Sequence, residues 1–190
     1  MKRQEVTQVS IPDYEALKQN IIDVVVEEQI KIGYQKESIQ LYYPVKSVTN
    51  LLGTETLAPL ELINILDSFK TYTENDPGKL EYTLRKDDRV CFIISEEAVE
   101  NIHNKTSDKG FLKDFIEQIR QHSTTIEDIK KIFSRYSSEF HCEELNNGEF
   151  DYLLWFESGI PDSYKYCINF EGDHVTYHRF TKKDFEDLNF

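Results

Sequence analysis

The sequence predicts an α+β fold. Three observations carry that expectation. Apolar residues recur at helical spacing through the front third, strand-like alternation starts directly after the Glu74-Asn75-Asp76-Pro77-Gly78 break, and the closing third reads as hairpins, with Asn147-Gly148 set between two strand-like runs. The expected layout is an N-terminal helical part, a short hairpin, further helices, then a four-stranded antiparallel C-terminal meander capped by a short helix. A length of 190 residues suits a single domain over 1–190. The break offers a finer division, into a helical sub-lobe over 1–76 and a mixed one over 79–190.

The first helix is expected from Pro12 to Ile32, with Ser10 and Asp13 as its capping pair and Gly33 as its stop. Tyr14, Leu17, Ile21, Val24, Val25 and Ile32 share one face, and Ile22, Val26 and Ile30 widen it past half the circumference. An arc that wide needs neighbours on more than one side, so this helix is expected to be central. Ile39–Tyr43 is a short β-branched and aromatic run. Pro44 then opens a brief helix ending at Gly53, and Pro59 opens another carrying Leu62, Ile63, Leu66 and Phe69.

Leu80–Leu84 alternates as a half-buried strand, Lys86-Asp87-Asp88 is turn material, and Val90–Ile94 is a more apolar strand. Ser95 caps a helix that begins with two glutamates at the positive end of its dipole. Helices follow over Phe111–His122 and Thr125–Tyr136, the second with Thr125 and Asp128 as a capping pair. Strands are expected over Phe140–Leu145, Phe150–Phe156, Tyr164–Phe170 and Val175–Phe180, the last two joined by Gly172-Asp173. Thr181 caps a final short helix, and Phe180 and Phe185 have hydrophobic-staple spacing, so the C-terminus should dock.

Composition excludes several function classes. With 22 basic and 35 acidic residues the net charge is −13. That disfavours nucleic acid and anionic membrane surfaces, both of which need clustered Lys and Arg. No stretch approaches the ~20 apolar residues of a membrane span, and Lys2 and Arg3 are not followed by the apolar core of a secretory signal. Cys91, Cys142 and Cys167 are odd in number and widely spaced, which reads as reduced cytoplasmic thiols.

The segments Glu27-Glu28-Gln29-Ile30-Lys31-Ile32-Gly33-Tyr34 and Leu41-Tyr42-Tyr43-Pro44, with Tyr166-Cys167-Ile168 through His174 to Tyr177-His178-Arg179-Phe180-Thr181, carry a resemblance. Over nearly its whole length the chain resembles an uncharacterised bacterial family defined as a domain of unknown function. The resemblance implies a bacterial, cytoplasmic, single-domain protein and brings no activity, ligand or site residues with it.

Candidate sites must therefore come from the residues themselves. The seven glycines build no GxGxxG or GK[ST] loop. Glu28 falls inside the apolar arc of the first helix, where a carboxylate needs a raised pKa or a cationic partner; it and His178 are the candidate acid–base groups. Tyr177, His178 and Arg179 are the candidate ligand-binding cluster, to be weighed against simple pairing of Arg179 with an acid such as Glu171 or Asp173. No metal and no cofactor is expected. The alternative metal reading uses Cys167 and His178, which stand opposite each other if Gly172-Asp173 is a two-residue turn, whereas His174 and His178 lie ~13 Å apart along one strand. Cys91, mid-run in an apolar strand, is a poor nucleophile.

Two functions are consistent with these features. One is a non-catalytic binding or protein-interaction module with an acidic surface and 11 Tyr and 12 Phe, meeting a basic protein; exposed Tyr42, Tyr43 or Trp155 would favour it. The other is a small-molecule-binding protein or enzyme with its site between the first helix and the C-terminal sheet.

Overall fold

In the computed structural model, which describes residues 11–54, 58–106, 110–145 and 147–188, the chain divides between Thr106 and Ser107 into two compact units. The Glu74–Gly78 turn lies inside the first unit.

The first unit contains α1 (Tyr14–Ile32), β1 (Ile39–Pro44), α2 (Val45–Leu51), α3 (Pro59–Thr73), β2 (Leu80–Leu84), β3 (Arg89–Ile94) and α4 (Glu96–Lys105). α1 packs against α2, α3 and α4, as the width of its apolar arc requires. Its core positions are Leu17, Ile21, Val25 and Val26. Ile32 departs from the expectation: at the last turn it is 65% exposed. Asp13 itself is the N-cap, accepting from the Ala16 N–H at 3.0 Å; Ser10, the other half of the expected capping pair, lies outside the described residues. The expected hairpin is wider than the sequence suggests. β1 adds to the free side of β3, giving a three-stranded antiparallel sheet in the order β1-β3-β2. The central place of β3 explains its apolar run, since Val90, Cys91, Phe92 and Ile94 are all buried. Gly78 ends the α3–β2 turn with φ 137°, and a Cβ there would meet the Ala98 Cβ at 3.2 Å.

The second unit contains α5 (Gly110–Ile119), α6 (Ile126–Tyr136), β4 (Phe140–Glu144), β5 (Tyr152–Phe156), β6 (Lys165–Glu171), β7 (His174–Phe180) and α7 (Lys182–Asp187). Its strands form the expected meander, β4-β5-β6-β7, all antiparallel. α5 is shorter than its apolar pattern implies, so His122 falls in the turn beyond it. One sheet face is packed by an aromatic cluster in which Phe115 meets Tyr166 and Tyr177 edge-on at 4.9 and 5.0 Å, and Phe133 stacks on Phe156 at 4.8 Å. On the other face Phe150, Leu153 and Cys167 gather Trp155, Phe180 and Phe185, so the staple pair docks α7. Thr181 caps that helix, accepting from the Asp184 N–H at 3.1 Å.

Candidate functional site

The candidate residues of the first unit sit at the end of α1. The buried carboxylate there is Glu27, whose side chain is 12% exposed and 2.9 Å from Lys31 Nζ. Glu28, one position on, is 42% exposed and 3.4 Å from the same ammonium. A step of one residue turns a helix by ~100°, which carries Glu28 out of the packed arc. α1 belongs to the first unit, and the sheet bearing His178 belongs to the second.

On β7 the candidate cluster separates by strand alternation. His178 lies on the face of Cys167, with its ring stacked on Phe180 at 6.0 Å and edge-on to Phe150 at 5.5 Å. Tyr177 and Arg179 point to the opposite face. Tyr177 packs into the aromatic cluster, and Arg179 is paired with Asp162: Nη2 to Oδ2 is 2.9 Å, with side chains 5% and 11% exposed. Neither Glu171 nor Asp173 is that acid. The same Asp162 carboxylate accepts from the Tyr166 hydroxyl and from the Tyr164 N–H, both at 2.9 Å, and the guanidinium lies 4.2 Å from the Tyr164 ring centre. A buried pair of this kind, its carboxylate also hydrogen-bonded by Tyr164 and Tyr166, fixes the loop before β6 onto β7. The sequence held one signal for Asp162: an arginine on the inward parity of an aromatic strand requires a carboxylate, and Asp162 is the acid of the Gly159–Tyr164 loop.

The Cys167–His178 register is as expected. Cys167 is fully buried, and burial pushes its thiol up to about 12. Among the described residues no three His, Cys, Asp or Glu side chains come together as a metal-ligand set.

Among the described residues, two concave sites stand apart from these candidates. The first, within the first unit, is a cleft of about 210 Å³ whose lining includes Glu15, Lys18, Asp76, Lys105 and Ile102. Lys18 Nζ is 2.8 Å from Glu15 and 3.7 Å from Asp76, and Lys105 Nζ is 2.6 Å from Asp76. The hydrogen bond from Lys18 holds the Glu15 carboxyl below its usual range, that from Lys105 does the same for Asp76, and Glu15 raises Lys18. All three stay ionised near neutrality, which suits a clamp between α1 and the α3–β2 turn and does not suit proton transfer.

The second, within the second unit, is an open groove of about 400 Å³ lined by Thr124, Thr125, Ile126, Asp151, Tyr152 and Phe170. It lies beside an acidic stretch. Between Arg135 and Lys165 the chain has no lysine or arginine, and Glu139, Glu143, Glu144, Glu149 and Glu157 are exposed. Glu157 is 2.9 Å from His141.

A family model described as "Domain of unknown function, E. rectale Gene description (DUF3877)" matches residues 14–189. The chain belongs to this family. The match runs through both units, so the cleft and the groove are both parts of the family domain. No curated protein and no solved structure matches the chain. No helix among the described residues is long and apolar enough to cross a membrane.

Proposed function

We propose that the protein is a cytoplasmic, non-catalytic binding module whose acidic surface receives a basic protein partner. The observation that carries this reading is the charge on the β4–β5 region: five exposed glutamates in a stretch without a lysine or arginine. A surface with an excess of negative charge raises the local concentration of an oppositely charged partner and speeds encounter, and its effect falls as salt screens it. β4 is also an edge strand, and Glu143 and Glu144 on it oppose pairing with another acidic copy. Tyr42, 47% exposed, adds an aromatic contact surface to the first unit. Three free cysteines suit a reducing compartment.

The test is partner capture at low and high ionic strength. A basic protein should be retained at low salt, released as salt rises, and lost from the double variant Glu143→Lys/Glu144→Lys. Retention of the same proteins at both salt levels, and by the double variant, overturns the reading.

A further inference from the structure

We propose that the groove at Thr124–Ile126, Asp151, Tyr152 and Phe170 is the specific pocket of that surface, and that it receives a lysine ammonium group of the basic partner. This deepens the reading above and rests on it. The groove has the chemistry of an alkylammonium site. Tyr152 and Phe170 meet at 88° with ring centres 6.0 Å apart, forming an aromatic corner, and aromatic faces attract cations through their quadrupole. Asp151 supplies a carboxylate beside them. Its Oδ2 accepts from the Phe170 N–H at 2.8 Å, which fixes the carboxylate against the corner and leaves acceptor capacity on both oxygens. Glu144 stands directly across from Tyr152 in the β4–β5 ladder, so a second carboxylate borders the same sheet face.

The start of α6 forms the remaining wall, and a bare helix N-terminus would favour an anion. Here the capping box already engages two of its donors. The Thr125 hydroxyl accepts from the Asp128 N–H, and the Asp128 carboxylate accepts from both the Thr125 N–H and the Thr125 hydroxyl. Asp128 therefore sits ionised on the helix end, its pKa lowered to about 2 by Lys131 first and by Thr125 second. Lys130, one turn into α6, is held by Glu127 at 3.2 Å. The groove offers a carboxylate and π-density, and its volume is that of a small-ligand site.

The experiment is an NMR titration of the whole chain with tetramethylammonium, with neopentyl alcohol as its neutral isostere, and with oligolysine. Tetramethylammonium should shift the amide signals of Asp151, Tyr152 and Phe170, and neopentyl alcohol should not. Asp151→Asn, which keeps an acceptor for the Phe170 N–H, should weaken tetramethylammonium binding about fivefold. Phe170→Leu is a second variant with the carboxylate intact and should weaken it similarly; thermal melts confirm that both are folded. Glu139→Lys/Glu143→Lys, whose side chains lie on the sheet face away from Tyr152, should weaken oligolysine binding through the outer surface. No shift in the groove, or an equal response to the neutral isostere, overturns the proposal. If oligolysine binds without shifting the groove and without sensitivity to Asp151→Asn, the groove is excluded and the acidic surface alone stands. If tetramethylammonium fills the groove and oligolysine binds nowhere, both the protein partner and the lysine occupant are overturned.

Discussion

In the first unit Lys18 bridges Glu15 and Asp76 at the mouth of a cleft, and Lys105 reaches Asp76 as well. In the second a single arginine meets a single aspartate where neither is much more than a tenth exposed. The two units carry similar charge: 12 basic and 18 acidic residues over 1–106, 10 and 17 over 107–190. What differs is where the pairs lie. The chain of pairs in the first unit is wet on its acidic side, with Glu15 59% and Asp76 51% exposed, so each link is weak and replaceable. Arg179–Asp162 is dry and backed by two further hydrogen bonds to the carboxylate, so removing one partner strands a buried charge. On the β4–β5 hairpin of the second unit, Glu143, Glu144 and Glu149 are exposed.

The comparison breaks most visibly at Asp162. Asp162→Ala should destabilise the protein by about 3 kcal/mol, measured by urea unfolding, because Arg179 would be left buried without its carboxylate. Adding Arg179→Met should recover a large part of that loss, since the second change removes the stranded charge. A double variant as unstable as the single one would mean that the hydrogen bonds to Tyr164 and Tyr166, and not the ion pair, hold the loop.

A second, smaller break tests backbone rather than charge. Gly78 closes the turn that carries Asp76, and its φ of 137° is a conformation L side chains avoid. Gly78→Ala should cost about 2 kcal/mol by thermal melting, from backbone strain together with the close Ala98 contact. Ala98→Gly in the same chain would remove the Cβ contact and leave both the strain and the approach to the residue-98 backbone, whose Cα is 3.3 Å away. A double variant restored to wild-type stability would show that the Ala98 Cβ alone fixes the glycine.

Elements governed by local chemistry were legible in the sequence. The caps at Ser95, Thr125 and Thr181 form as their spacing requires, and the Gly172-Asp173 turn sets the β6–β7 register residue for residue. Features decided by distant neighbours were not. β1 finds β3 across some fifty residues, and nothing in Ile39–Pro44 names that partner. The apolar arc of α1 places Glu28 inside it, yet Glu27 is the buried carboxylate and Glu28 is 42% exposed, because tertiary packing sets the edge of the arc. Arg179 announces that it needs a carboxylate, but Asp162 is chosen by the loop that precedes β6. The groove draws on three separate segments, so no window of sequence contains it.

The smallest effect sharpens the comparison through pH. Glu15 and Asp76 have lowered pKa values, so the stability they contribute is present above the unfolded carboxylate pKa, about 4, and is lost as pH falls through their folded values. Lys18 has a raised pKa, and its contribution is present below about 10.5 and lost only on the alkaline side. Lys18→Met removes the first cause of the Glu15 shift and leaves Asp76 with Lys105. Its effect at neutral pH should be below about 1 kcal/mol, because Glu15 is largely solvated. Its diagnostic consequence is the slope: between pH 5 and 3 the urea midpoint of the variant should fall less than that of the parent. An equal fall in both would show that the clamp does not couple to folding, and the first unit would then owe its acid sensitivity to other carboxylates, such as Glu81 beside Lys70.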